Sequence, residues 1–259
     1  MTYLTVQGHR IEVVRLPSSH PKAGYPSIVF LHEGLGSVAM WRDFPQQVAD
    51  ATGCEAVVYS RYSYGKSDPL LQPHDVRYMH KEGLEALPEL LDKLALEKPI
   101  LFGHSDGASI ALINAGGTPR PLTGVIVMAP HVMVEDICIS SIEAAKVAYD
   151  TPATKLRERL AKFHADVDSA FRGWNDIWLH PEFRFFNIEE YLPNIPCPVL
   201  AIQGEDDEYG TMDQIERIAR QAKDVELVKL ADCRHSPHKD QPAAVLEEVT
   251  AFVQRLMEN

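Results

Sequence analysis

Positive charge is scarce in this chain: 25 lysines and arginines stand against 37 aspartates and glutamates, for a formal net charge of −12. An acidic surface repels phosphate backbones and anionic headgroups, so neither nucleic acid nor a membrane is expected as a partner. Long hydrophobic runs are missing too. The longest mostly apolar stretch, Val125 to Val134, is broken by Pro130 and His131 and is too short to span a bilayer. The opening residues, Met1-Thr2-Tyr3-Leu4-Thr5-Val6, show no basic segment followed by an apolar one, so a cytoplasmic location is expected. The four cysteines, Cys54, Cys138, Cys197 and Cys233, are scattered without a CxxC pair. That spacing excludes a zinc site or a disulfide frame and suits reduced, structural thiols. GxGxxG, GxxxxGK[ST] and HExxH are also lacking, and neither metal nor cofactor is expected.

What the chain does contain is an alternation. At 259 residues it is long enough for one large domain or two small ones. Short apolar runs read as strands: 27–31, 56–59, 99–102, 124–128, 198–202 and 225–228. Helical patterns lie between them at 41–51, 75–94, 105–115, 212–222 and 242–256. Strands alternating with helices imply an α/β fold with a mostly parallel sheet covered on both faces. Residues 3–6 and 11–14 flank Gly8 and suit an antiparallel hairpin at the sheet edge. From His131 to Leu192 no strand candidate appears. Five of the nine Phe and two of the three Trp, Trp174 and Trp178, fall there. The expected organisation is a core of 1–130 and 193–259, with 131–192 inserted as a helical cap over a site. Trp174 and Trp178 are its substrate-contacting candidates.

Gly103-His104-Ser105-Asp106-Gly107 follows one strand candidate and opens a helical run. This is G-x-S-x-G in the strand–turn–helix context that it requires. A tight turn lifts the serine hydroxyl clear of the backbone and aims a helix N-terminus at it. Side chains at the two glycine positions would collide with the neighbouring strand and helix. On these residues the chain resembles the α/β-hydrolase superfamily over nearly its whole length, and the S-D-G elbow is similar to that of biphenyl-hydrolase-like enzymes.

The resemblance implies a base and an acid, in the order serine, acid, histidine. His235 takes the base position in the loop after the last strand, although Arg234 stands where glycine is usual; His238 is the competitor, read as a supporting or helix-capping residue. In Gln203-Gly204-Glu205-Asp206-Asp207-Glu208 the family's G-x-x-D selects Asp207, with Asp206 beside it. An acid placed after the preceding strand would instead be Glu135 or Asp136. His32-Glu33-Gly34-Leu35-Gly36-Ser37 resembles the H-G-x-x-G-S loop, which makes the Gly34 and Asp106 N–H groups the oxyanion donors. Glu33 departs from the usual glycine and is expected to turn away, pairing with Arg61 or His32. The 60–68 segment resembles a structural loop of the fold.

These residues imply acyl transfer from a small ester-like substrate through an acyl-enzyme, with no cofactor. Carbon–carbon hydrolysis of ring-cleavage products, lactone opening and a triad-bearing ligand receptor are the alternatives, and a homo-oligomer is compatible with the chain. The Asp106 carboxylate must avoid the oxyanion. It turns either to a structural partner or towards the acyl group, where it could hold an α-ammonium.

Overall fold

The computed structural model describes residues 1–258. Eight strands form one sheet: β1 (Thr2–Val6), β2 (His9–Leu16), β3 (Ile28–Leu31), β4 (Ala56–Ser60), β5 (Ile100–His104), β6 (Gly124–Met128), β7 (Val199–Gly204) and β8 (Val225–Leu230), in the order β1-β2-β4-β3-β5-β6-β7-β8. β1 and β2 are the antiparallel hairpin at one edge, and β3 to β8 run parallel. Gln7 and Gly8 both have positive φ, 49° and 79°, as a two-residue hairpin turn that follows the strand twist demands.

The helices are α1 (Phe44–Thr52), α2 (Tyr78–Lys81), α3 (Leu87–Lys93), α4 (Asp106–Gly117), α5 (Asp136–Asp150), α6 (Leu156–Leu160), α7 (Val167–Trp178), α8 (Asp213–Gln221), α9 (Pro237–Asp240) and α10 (Pro242–Glu258). Every residue of β3 to β7 is buried. Alternation across each strand therefore divides one apolar run between two cores. Ile28, Phe30, Ile100, Phe102, Ile126 and Met128 pack with Val48 of α1 and Val249 of α10. Val29, Leu31, Leu101, Val125 and Val127 pack with α4, α8 and the 131–192 helices. This is why these strands read as continuous hydrophobic runs. The four cysteines are all buried and free. No helix among the described residues is long and apolar enough to cross a membrane.

Two helical readings need correction. The run expected over 75–94 begins at Tyr78, because Asp75 Oδ1 accepts the Arg77 N–H at 2.8 Å and holds a turn. It then passes through a π-helical segment, Glu82–Ala86, before α3. Pro88 brings no N–H to the ladder, and Gly83 is pressed against Ile113, its carbonyl accepting from Asn114 Nδ2 at 2.8 Å. The run expected over 41–51 is broken at Arg42, whose φ is 54°, so a 3₁₀ turn (Val38–Trp41) precedes α1. Between β6 and β7 the chain is helical or in turns, apart from a single Met133–Asn187 bridge.

Candidate active site

Ser105 joins β5 to α4 at φ 53°, ψ −120°, a conformation that a non-glycine residue holds only when its surroundings impose it. The surroundings are the reason for both glycines. A Cβ on Gly103 would lie 2.4 Å from Ala108 Cα in α4, and one on Gly107 would lie 2.1 Å from the Leu31 carbonyl oxygen of β3. Neither obstacle is a side chain that can rotate aside. Gly107→Ala is therefore expected to destabilise the protein by at least the roughly 1–3 kcal/mol typical of overpacking. Urea unfolding monitored by circular dichroism tests this; an unchanged midpoint would contradict the fit.

The loop after β8 brings His235 to this turn from 130 residues away. The Ser105 hydroxyl lies 2.9 Å from His235 Nε2, and His235 Nδ1 lies 2.8 Å from Asp207 Oδ1. Since a carboxylate can only accept, Nδ1 carries the ring proton and Nε2 is left to accept from the serine. Asp207, on the turn after β7, is fixed in its own right: Oδ1 accepts the Tyr209 N–H at 2.8 Å and Oδ2 accepts from Gln203 Nε2 at 3.2 Å. Burial favours its neutral form, but the facing His235 and these hydrogen bonds outweigh that and hold the carboxyl below its usual range. The neighbouring Asp206 is exposed. Glu135 accepts from Thr211 and Gln214, and Asp136 is an exposed partner of Arg184, so neither approaches His235. His238 is buried in α9 against Trp41 and Phe44 instead of capping a helix. Arg234 points outward, its N–H bonded to Asp240.

Behind the turn lies a buried polar layer. The Asp106 carboxylate accepts from the Tyr78 hydroxyl at 2.6 Å and from the Trp178 indole N–H at 3.3 Å, with the Arg61 guanidinium 3.8 Å away. It is thus turned to structural partners and not to an acyl group. Burial pushes this carboxyl up, while Arg61 and its two donors oppose the rise. Arg61 also donates to the Glu33 carbonyl at 3.0 Å, and its own N–H is taken by His32 Nε2. His32 Nδ1 then donates to the same Glu33 carbonyl at 2.6 Å. So Arg61 and His32 hold the Glu33 backbone, and the expected pairing of its carboxylate with either does not occur. That carboxylate lies 3.3 Å from Lys239 Nζ and 3.6 Å from His104 Nδ1. Although burial raises it, Lys239, His104 and His238 together hold it well below the usual range. The 60–68 loop is tied in by Ser60, whose hydroxyl donates to Glu12 and accepts from Val38.

The backbone N–H groups of Gly34 and Asp106 have no backbone acceptor among the described residues. Gly34 carries no side chain because Trp174 covers it: a Cβ there would meet the indole Cδ1 and Nε1 at 2.3 Å. Trp174 and Trp178, both on α7, line a pocket of about 180 Å³ with Gly34, Ser105 and His235. Three further walls escaped sequence reasoning: His131, Ile142 and Tyr209. For His131 a signal existed, since it lies three residues past the end of β6, and strand carboxyl ends are where open α/β sheets build their sites. Glu33, Asp106 and Glu208 also line this pocket, and no lysine or arginine does. A larger cavity of about 310 Å³ lies beyond Arg61 and Tyr78, away from the serine.

Residues 28–248 match the alpha/beta hydrolase family. The chain belongs to that family. It is 22% identical over 254 residues to an sn-1-specific diacylglycerol lipase, ABHD11, of Danio rerio, covering 88% of this chain and 78% of the relative. It is 27% identical over 244 residues to a putative carbamate hydrolase, RutD, of Caulobacter sp. (strain K31), covering 86% and 87%. The crystal structure of proline iminopeptidase from Mycobacterium smegmatis superposes with a TM-score of 0.77 at 16% identity, over 98% of each chain. At that identity the last likeness speaks for the fold alone.

Proposed function

We propose that this hydrolase cleaves carboxylic esters of small acids, with Ser105 as nucleophile, His235 as general base and Asp207 as the residue that orients the imidazole. The observation that carries the reading is the unbroken chain Ser105–His235–Asp207, with links of 2.9 and 2.8 Å, opening on a pocket that Leu35, Ile142, Trp174 and Trp178 help to wall. His235 Nε2 takes the serine proton as Oγ bonds to the ester carbon. The negative oxygen that forms is received by the N–H groups of Gly34 and Asp106, the latter at the N-terminus of α4. The imidazolium then protonates the departing alkoxide, leaving an acyl-serine. A water, deprotonated by the same nitrogen, attacks the acyl carbon; the serine recovers its proton and the acid leaves. Segment 131–192 acts as the cap, with α7 closing the pocket and shedding bulk water from it.

A fluorophosphonate probe, followed by peptide mapping, tests the nucleophile. Ser105 is expected to carry the label, and p-nitrophenyl acetate or butyrate to be hydrolysed with an initial burst. A folded protein labelled elsewhere, or not at all, overturns the proposal.

A further inference from the structure

His131 occupies the catalytic pocket without belonging to the hydrogen-bonded chain. Its ring stacks beside that of His235 at 5.6 Å between centroids and meets the Trp178 indole edge-on at 5.0 Å. Its Nδ1 faces Cys138 Sγ, 3.8 Å away at the start of α5. The thiol settles which imidazole nitrogen bears the proton. A thiol has one hydrogen, and Cys138 gives it to the Tyr209 carbonyl at 2.8 Å. Its sulfur is then left to accept, from the Glu135 N–H at 3.4 Å and from His131. So Nδ1 must be the N–H, and Nε2 holds the lone pair. Burial keeps both groups in these forms, lowering His131 to about 3 and raising Cys138 to about 12. His131 Nε2 has no hydrogen-bond partner among the described residues, nor is it among the sealed-off polar atoms, and the ring lines the pocket.

We infer that His131 Nε2 is a specificity-determining acceptor, selecting esters whose acyl chain carries a hydrogen-bond donor one or two carbons from the reacting carbonyl. The short reach follows from the ring's position beside His235. The charge of the walls narrows the class further. With the Asp106 carboxylate turned away, Glu33 and Glu208 remain among the wall residues and no lysine or arginine does, so an anionic acyl group such as a half-ester of a diacid is disfavoured. Hydroxyacyl groups and protonated aminoacyl groups share the required donor. The inference rests on the proposed ester hydrolysis for its kinetic form, but the acceptor can be tested without turnover.

The first measurement compares p-nitrophenyl esters of butyrate, 3-hydroxybutyrate, 3-aminobutyrate and succinate. Wild type is expected to favour the hydroxyl or amino ester over butyrate by about 5- to 10-fold in kcat/KM, the size of one hydrogen bond, and to disfavour succinate. The better of the hydroxyl and amino arms identifies the natural donor. In His131→Phe, which keeps a ring but has no acceptor, the ratio should fall to within twofold of unity. Cys138→Ser keeps a hydroxyl able to donate to Tyr209 and accept from His131, and should preserve the ratio. Cys138→Ala frees the imidazole to move its proton and should lose most of it. The second measurement uses Ser105→Ala, titrated with the same esters and read by fluorescence of the pocket tryptophans. The same preference is expected in Kd, and it reads the acceptor even if wild type turns over no ester. Equal values for butyrate and both donor esters, or a preference retained in His131→Phe, overturn the inference and leave His131 a hydrated wall residue.

Discussion

Replacing Ser105 with alanine is expected to leave a folded protein whose ester turnover has fallen roughly 10⁴-fold or more. The loss is large because the serine's neighbours act only through it: without the hydroxyl, His235 has no proton to take and no acyl-enzyme forms. The fold should survive. The backbone strain at this position is imposed by Gly103, Gly107 and the strands around them, and alanine bears it no worse than serine. The Ser105 N–H, which donates to the Met128 carbonyl at 2.9 Å, is untouched by the exchange. Steady-state kinetics beside a thermal melt separate the two effects. A folded Ser105→Ala protein with near wild-type turnover would dismantle the mechanism.

Asp207→Asn is expected to cost on the order of 10⁴-fold in kcat, through the proton on His235 and not through lost packing. An asparagine amide can donate to Nδ1, which moves the ring proton to Nε2, where it can no longer accept from Ser105. Asp206→Asn, one residue away and exposed, should change kcat little. If the two effects are reversed, the acid is Asp206 and the 2.8 Å contact of Asp207 is structural.

The contrast between these neighbours shows what the sequence carries. The tight turn at Ser105 and the strand alternation were legible because each is a local requirement written in nearby residues, whereas Asp207 was reached only through its likeness to the family's G-x-x-D. Contacts made across strand ends were not. Lys239 meets Glu33 from 206 residues away, because β3 and the end of the chain converge only once the sheet is ordered. His32 is the adjacent residue and Arg61 lies 28 residues on, and both do hold Glu33, though by its carbonyl. The π-helical turn at Glu82–Ala86 was hidden for the same reason: Ile113 and Asn114 of α4, which crowd Gly83, belong to a later helix. His131 interrupted an apolar stretch and was read as a break; the role inferred for it depends on a thiol seven residues on and on a carbonyl at Tyr209.

The order in which these parts lie along the chain bears on its synthesis. Ser105 leaves the ribosome 130 residues ahead of His235, and Asp207 only 28 residues ahead. At about 5–20 residues per second the proposed nucleophile waits on the order of ten seconds for its proposed base. During that interval β7 and β8 have yet to join β6, and α10, which covers α1, is still unmade. A nascent chain halted after β6 holds the Ser105 turn but neither His235 nor Asp207, and is expected to show no ester turnover. On the proposed mechanism, hydrolytic competence would arrive only with β8 and the loop that carries His235.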